Sequence, residues 1–417
     1  MITQNVYYDI LLICGVVIVS YSLGWISKLT KIPTVLLLIL LGIGFQFLLK
    51  VLQLSISPRI MDLLELLGIV GLIMIVLEAA LDLKLTKDKR TLILKAFGVA
   101  LLALAGSSIA ISYIIIYFLE FDFYTALVYA IPLSVMSSAI IIPSVKQLPE
   151  KKKEFMIYES TFSDIMGIMF FYFVVDAHKN ATMVSTVNEV VINVGVTVFL
   201  AVILSYLLVI IFQRVRDSAR LFLLISILIL LYSVGKIFHL SSLIVILIFG
   251  LALSNHKLFF SGKFRKLVND DILKEMNKEF HLITLESAFV VRTFFFVVFG
   301  MTLDLQYLFN LETAIISVSI VAALYVVRFI FLRAFLKSIV TELLIAPRGL
   351  ITILLFFGIP AKYYQNSFSS GILLYTILFT GVIMTIGMIF HKDEASDVHD
   401  LSFESLEDLD KELIQKE

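Results

Sequence analysis

Long apolar runs dominate the chain, and short polar segments separate them. A helix needs about 20 mostly apolar residues to cross the hydrocarbon core of a bilayer. Runs of about this length recur along the whole sequence, so the pattern predicts an all-α integral membrane protein with thirteen transmembrane helices. These predicted spans lie at residues 8–27, 33–52, 60–81, 93–118, 124–146, 155–176, 187–212, 219–235, 240–255, 285–303, 311–332, 339–360 and 370–390.

The composition supports a membrane protein and excludes several other classes. Hydrophobic residues make up 60% of the chain and charged residues 16%, against about 45–50% and 25% in soluble domains. Lys+Arg and Asp+Glu balance at 33 each, so the chain lacks the net positive charge that would indicate a nucleic-acid-binding protein. The single cysteine excludes a disulfide framework. Metal-ligand spacings, phosphate-binding glycine loops and nucleophile constellations are all missing, so we expect neither an enzyme nor a cofactor.

The loops indicate how the helices are oriented. Cytoplasmic loops carry an excess of Lys and Arg. With the N-terminus outside, the loops assigned to the cytoplasm hold most of these residues, and the C-terminus is cytoplasmic. The outer loops then hold only Lys50, Arg59, Lys179, Lys236 and Lys362. Residues 1–9 contain no Lys or Arg, so the first run is predicted to be a retained span in the plasma (inner) membrane, not a signal peptide.

Two segments fall outside the predicted spans. Residues 257–284 alternate charged and apolar side chains, a pattern that predicts an amphipathic helix on the cytoplasmic surface. Residues 391–417 form a short acidic tail. We expect this tail to be cytoplasmic, and it is too short for a nucleotide-binding regulatory domain.

Four of the seven prolines fall in two spans. Pro132 and Pro143 lie in the fifth span, and Pro347 and Pro360 lie in the twelfth. Proline removes a backbone hydrogen bond and breaks a helix. Irregular backbone at membrane depth is tolerated only inside protein or beside a water-filled cavity. We therefore expect two discontinuous helices next to a functional site.

The distance between the two broken spans predicts a duplication. They are seven spans apart, and an odd offset places two copies of a repeat in opposite orientations. We therefore predict two inverted six-helix repeats, residues 1–186 and 219–390, with a linking span in 187–218. Their discontinuous helices, the fifth and twelfth spans, would cross. Paired interrupted helices in inverted halves indicate the binding site of a transporter.

Acidic residues inside the sixth span are the strongest candidates for function. Glu159 and Asp164 interrupt an otherwise apolar helix, and charges at this depth are costly and usually functional. Ser160 lies four residues before Asp164 and shares its face of the helix. Glu159 points about 140° away from Asp164 at 100° per residue. The two carboxylates therefore cannot serve one ligand.

Two intramembrane arginines have predicted partners. Arg328 lies in the middle of the eleventh span and needs an anion, for which Glu159 is the natural candidate. Arg348 follows the first proline of the twelfth span. Its charge could there compensate the exposed carbonyl end of a half-helix.

Two further deep charges have less defined roles. Arg292 in the tenth span could pair with Glu286 or face solvent, and we assign it no function. Glu78 in the third span is a deep acid that fits either a binding site or a helix end.

These residues resemble the cation:proton antiporter superfamily, in its sodium/proton exchanger branch, from about residue 20 to residue 390. The strongest match is the sequence ESTFSD at 159–164, which resembles the family signature of Glu-Ser, two apolar or small residues, and Asn-Asp. Weaker similarities occur in the expected order. They are KIPTVLLLILLGI, GLIMIVLEAALDLKL, MSSAII, FFFVVFGMTLDL and PRGLITILLFFGIP.

The resemblance implies roles for individual residues. Asp164 would bind the cation and the proton in turn. Its coordination would be completed by Ser160, Glu78, Ser137 and Ser138. Glu159 and Arg328 would form a structural ion pair, and Arg348 would stabilise the broken twelfth span. The resemblance also implies a homodimer.

The sequence departs from the family pattern near the expected site. Ser163 occupies the position where the family usually has Asn or Asp, and Pro347 replaces a Leu beside Arg348. Many exchangers have an Asp in the fifth span, where the nearest residue here is Ser138. The site therefore has fewer acids, and its ion selectivity is open.

The expected activity is exchange of Na+, or Li+, for H+ by competition at Asp164. Only one titratable site residue, Asp164, is free in the sixth span, because Ser163 cannot bind a proton; this predicts an electroneutral one-for-one exchange. Three alternatives remain: a K+/H+ antiporter, a gated cation channel on the same scaffold, and an organic-anion symporter on a related fold. The symporter would favour uncharged crossing helices. The predicted partners are the lipid bilayer, monovalent cations and protons, and no nucleic acid.

Overall fold

In the computed structural model, the regular secondary structure of the described residues is helical. Those residues are 6–30, 33–51, 70–71, 73–86, 88–145, 148–177, 199–214, 220–237, 242–260, 265, 267–302, 310–365 and 367–390. Within these ranges no β-strand occurs, so the all-α class is confirmed.

The helices follow the apolar runs of the sequence. In chain order they are α1 (Val6–Thr30), α2 (Thr34–Val51), α3 (73–82), α4 (Arg90–Leu119), α5 (Phe123–Ser134), α6 (Ser138–Ser144), α7 (Glu150–Ala177), α8 (199–212), α9 (Arg220–Ile237), α10 (Ser242–Ser254), α11 (His256–Phe259), α12 (Asp270–Thr302), α13 (Leu311–Phe335), α14 (Val340–Leu344), α15 (Leu350–Phe357) and α16 (Ser370–Phe390). A 3-10 turn, Ala361–Tyr363, precedes α16.

Several of these helices can cross a bilayer. Among the described residues, five are long and apolar enough: Arg90–Leu119, Phe123–Ile142, Asp270–Met301, Leu311–Phe335 and Ser370–Ile389. Shorter apolar helices overlap the predicted spans 1, 2, 7, 8 and 9. Parts of the third and seventh predicted spans, and the acidic tail 391–417, lie outside the described residues. The count of thirteen therefore stays a prediction.

The fifth and twelfth spans are both interrupted. In the fifth span, α5 ends at Ser134 and α6 begins at Ser138. In the twelfth span, α14 ends at Leu344 and α15 begins at Leu350. The two breaks touch, because the backbone N–H of Ser137 in one donates to a carbonyl in the other at 3.0 Å. The inverted relation of the two halves remains a prediction.

The segment before the tenth span differs from the prediction. Helix α12 runs without interruption over 33 residues from Asp270, about 50 Å at 1.5 Å per residue. Residues 270–284 therefore continue the tenth span and do not form a separate surface helix. Their apolar face is buried in protein: the Phe280 ring lies 6.0 Å from that of Phe212 in α8 and 6.5 Å from that of Phe249 in α10. Residues 270–299 contain neither Gly nor Pro, so nothing in the local sequence ends the helix before Gly300.

The helix packing places α7 inside the protein. It contacts α4, α5, α6 and α15, and α4 also packs against α13. Away from α7, helix α2 packs against α12. Helix α3 lies beside α10, since Gly250 faces Leu77 and Ala80. It also lies beside α12, since Glu78 faces Arg292.

The contact between α2 and α12 depends on two glycines. A Cβ added to Gly42 would lie 2.9 Å from the Cα of Gly300, and one added to Gly300 would lie 3.0 Å from the Cα of Gly42. Atoms this close must move apart. The two backbones therefore approach as closely as they do because neither residue has a side chain.

We expect Gly42→Ala to lower the free energy of unfolding by about 1–3 kcal/mol, because overpacking forces the two backbones apart. Thermal unfolding of the purified protein in detergent measures the change. The matched control is Gly44→Ala on the same helix, where an added Cβ meets nothing within 4 Å. Equal unfolding temperatures for the two variants would contradict this account of the contact.

Candidate functional site

Asp164 lies on α7 directly beside the break in the fifth span. The residue is 4% exposed. Its Oδ2 accepts the backbone N–H of Ser138 at 3.1 Å and also the hydroxyl of Ser138. Its Oδ1 is buried and has no hydrogen-bond partner among the described residues. One carboxylate oxygen is thus fixed by α6, and the other is free to bind a ligand.

The unwound backbone of the fifth span is held by three separate groups. The N–H of Met136 donates to the hydroxyl of Ser163 at 2.9 Å. The N–H of Ser137 donates to the carbonyl of Pro347 at 3.0 Å. The next N–H along the chain is the one bound by Asp164. Buried backbone groups need partners, and side chains of α7 and the other broken span supply them here.

Gly349 allows the two broken spans to approach each other. A Cβ at this position would lie 2.7 Å from the Oγ of Ser137 and 3.0 Å from its Cβ. Any side chain would therefore separate the breaks. The Oγ of Ser137 is itself buried and unpartnered within the described part of the chain.

Arg348 stabilises carbonyl groups at both breaks. Its Nε donates to the carbonyl of Leu133, in the last turn of α5, at 3.0 Å. Its Nη1 donates to the carbonyl of Ala346 at 2.8 Å, and its backbone N–H donates to the hydroxyl of Thr380 at 3.1 Å. The positive charge thus lies at the carbonyl end of a half-helix, where it is favourable. That half-helix belongs to the fifth span.

Glu159 and Arg328 lie together in the protein interior. The guanidinium contacts both carboxylate oxygens, with Nη1–Oε1 at 2.5 Å and Nη2–Oε2 at 2.9 Å. The two residues are 0% and 4% exposed. Nε and Nη2 of Arg328 also donate to the carbonyl of Glu342 at 3.1 and 2.8 Å. The group therefore joins α7, α13 and α14.

Two sequence-predicted ligands have other partners. The hydroxyl of Ser160 donates to the carbonyl of Ile157 at 3.2 Å. Glu78 faces Arg292 instead, with 3.7 Å between Oε2 and Nη1. The structure describes no hydrogen bond from either Ser160 or Glu78 to Asp164.

The sequence reasoning missed two charged residues near these groups. Arg292 pairs with Glu78 and not with Glu286. This pair could have been predicted from the sequence, because the third and tenth spans contain deep charges of opposite sign. Glu342 is buried beside Arg328, and its Oε2 has no hydrogen-bond partner among the described residues. No motif singled it out, because its carboxylate lies in a five-residue half-helix of irregular pattern.

The donor set suits a proton or a monovalent cation. The described residues contain no group of three or more His, Cys, Asp or Glu side chains that could hold a metal ion. Divalent cations such as Ca2+ take six to eight oxygen ligands, several of them carboxylates. The one carboxylate oxygen of Asp164 that has no partner among the described residues offers less charge.

Comparison with known proteins identifies the family. The family model described as sodium/hydrogen exchanger, transmembrane, matches residues 16–391. The chain belongs to the sodium/hydrogen exchanger family. It is therefore an integral membrane antiporter of cations and protons and not an enzyme, and the resemblance seen in its sequence is confirmed. A search of curated proteins found no match.

Solved structures show the same fold. The sodium proton antiporter MjNhaP1 from Methanocaldococcus jannaschii at pH 8 superposes with a TM-score of 0.69 at 19% identity, covering 95% of this chain and 98% of that chain. A structure of MjNhaP1 from an electron microscopy map gives a TM-score of 0.65 at 18% identity, covering 94% and 97%. The exchanger fold thus extends over nearly the whole of this chain.

We expect Glu159→Ala to destabilise the protein by about 3–5 kcal/mol, because it leaves the charge of Arg328 buried and unpaired. The double variant Glu159→Leu/Arg328→Met should recover most of this loss, since it removes both charges and fills the space. Thermal unfolding in detergent and the yield of folded protein are the measurements.

A surface pair on the same helix provides the control. Lys153 and Glu150 are 3.0 Å apart, and the Glu150 side chain is 69% exposed. Glu150→Ala should cost less than about 1 kcal/mol, as exposed ion pairs do. If Glu159→Ala were equally mild, the buried pair would not be a structural element of the fold.

Proposed function

We propose that this exchanger moves Na+, or Li+, against H+ one for one, with Asp164 as the group that both ions bind. The observation that carries the proposal is the state of the Asp164 carboxylate. It is buried at the meeting point of two interrupted helices, one oxygen is anchored to Ser138, and the other has no hydrogen-bond partner in the part of the chain that the structure describes. Paired interrupted helices of this kind form transporter binding sites.

Competition for one carboxylate couples the two fluxes. A protonated Asp164 has lost the charge that attracts the cation, and a cation on Oδ1 occupies the oxygen that the proton needs. Each ion therefore displaces the other. Burial makes the unneutralised carboxylate costly, so the carrier favours states that hold one of the two ions.

Two of the neighbouring carboxylates already face an arginine. Glu159 is neutralised by Arg328, and Glu78 faces Arg292. Ser163, next to Asp164, cannot bind a proton at physiological pH. Glu342, beside Arg328, also has an unpartnered Oε2 among the described residues, but the carboxylate that binds the unwound backbone of the fifth span is that of Asp164. One exchangeable charge at that position gives a one-for-one exchange.

The orientation and assembly are also proposals. We propose that the N-terminus is outside and the C-terminus cytoplasmic in the plasma membrane, as the Lys and Arg distribution predicts. Exposed apolar residues such as Trp25 and Phe222, at 65% and 73%, support contact with lipid. A homodimer is proposed from the family resemblance.

We expect Asp164→Asn to abolish cation-driven proton movement while the protein stays folded, because the amide has nearly the same shape but binds neither ion. Dequenching of a pH dye in everted vesicles or proteoliposomes, after pulses of Na+, Li+ and K+, measures exchange.

In the wild type, lowering the pH should raise the apparent KM for Na+ and leave Vmax unchanged. Asp271→Asn, at an exposed residue, is the control. Full exchange by Asp164→Asn would overturn the proposal, and a response to K+ alone would show a K+/H+ antiporter.

We expect the exchange rate to be independent of membrane voltage, because one positive charge moves each way. An unbalanced charge would instead contribute about 2.3 kcal/mol per 100 mV. Proteoliposomes with the potential clamped by K+ and valinomycin, run at several values, test this. A rate that changes steeply with the clamped potential would refute electroneutral exchange, and a cation flux that needs no protons would indicate a channel.

A further inference from the structure

Hydroxyl groups inside the helices of this protein usually have a partner. Ser and Thr in a membrane helix can donate to the carbonyl one turn earlier. Buried examples from four helices that do so, with donor-acceptor distances of 2.6–2.9 Å, are Ser112, Ser205, Thr284 and Thr376. A buried hydroxyl that lacks this bond therefore stands out.

Three buried Ser or Thr hydroxyls stand out in this way. In the described part of the chain, the side-chain oxygens of Ser137, Thr161 and Thr352 have no hydrogen-bond partner. Ser137 lies in the break of the fifth span, and Thr352 lies three residues after Gly349. An unpaired polar group in a protein interior costs stability and calls for an explanation.

Thr161 is placed on the same side of its helix as Asp164. It precedes Asp164 by three residues on α7, and side chains at this spacing are neighbours on a helix surface. Thr161 is 0% exposed. Ser160, the other hydroxyl on this side, is engaged with the carbonyl of Ile157. Of the described hydroxyls three or four residues before Asp164 on α7, that of Thr161 is therefore the one without a partner.

We propose that Thr161 supplies a neutral oxygen ligand to the transported cation bound at Asp164. This inference rests on the proposed function and deepens it. A dehydrated alkali cation needs several oxygens, and neutral ones can replace its water shell. A proton on Oδ1 needs no such ligand. Thr161 would then strengthen cation binding without strengthening proton binding.

The test compares Thr161→Val with Thr161→Ser in proteoliposomes, with Na+ concentration varied at fixed pH. Valine has the shape of threonine without its hydroxyl, so the apparent KM for Na+ should rise by about tenfold while Vmax stays within about twofold. Serine keeps the hydroxyl and should restore a KM near the wild-type value. Thr376→Val removes a buried hydroxyl that already has a partner and should leave KM unchanged.

Stability separates a ligand role from a structural one. Removing an unpartnered buried hydroxyl should not lower the unfolding temperature of Thr161→Val in detergent, whereas removing a structural hydrogen bond would. If this variant does not fold, Thr161→Ala takes its place. A KM within twofold of wild type in the folded variant, or a Thr161→Ser variant as impaired as Thr161→Val, would overturn the inference.

Failure here is distinguishable from failure of the proposed function. Loss of exchange in Asp164→Asn together with an unchanged KM in Thr161→Val would overturn the role of Thr161 alone. Wild-type protein that shows no exchange driven by Na+ or Li+ would overturn the proposed function itself.

Discussion

The site depends on a constraint of the bilayer: a backbone N–H or C=O cannot be left without a partner in hydrocarbon. Two spans of this protein break their helices and so release such groups. The fold solves the problem by bringing the breaks together, so that Ser137 donates to Pro347 across the crossing. Side chains of α7 bind the N–H groups on either side. Each break is stable only because the other helices are in place.

This constraint also explains the form of the Asp164 site. Because Oδ2 is used to hold Ser138, only Oδ1 remains for an ion. A carboxylate that bound the backbone with both oxygens could not bind an ion as well. A carboxylate that bound the backbone with neither oxygen would leave the N–H groups of the broken helix without partners. The same carboxylate thus serves the fold with one oxygen and is offered to the ligand with the other. Serine at position 163 performs only the first of these tasks.

Most of the remaining deep charges are engaged by partners of their own. Arg328 holds Glu159 with both carboxylate oxygens, and Arg348 is engaged by carbonyls of both interrupted spans. Arg292 lies opposite Glu78. Buried pairs of this kind contribute little net stability compared with apolar residues, but breaking one is costly. They keep opposite charges fixed. Among the described residues, unpartnered carboxylate oxygens then remain at Asp164, which binds the broken fifth span, and at Glu342 beside Arg328.

The sequence by itself determined the fold class, the positions of most helices, the two broken spans and the Glu159–Arg328 pair. Apolar run length, proline and isolated charge are local signals, and each has one main explanation in a membrane. Only the tertiary structure decided which partners meet. Whether Ser160 or Thr161 has the unpartnered hydroxyl depends on rotamers, and whether Glu78 faces Asp164 or Arg292 depends on how α3 packs. The amphipathic stretch before the tenth span would have the same sequence pattern whether it lay on a membrane surface or packed against α8 and α10. The pattern shows that one face of the helix is apolar, but not what covers that face.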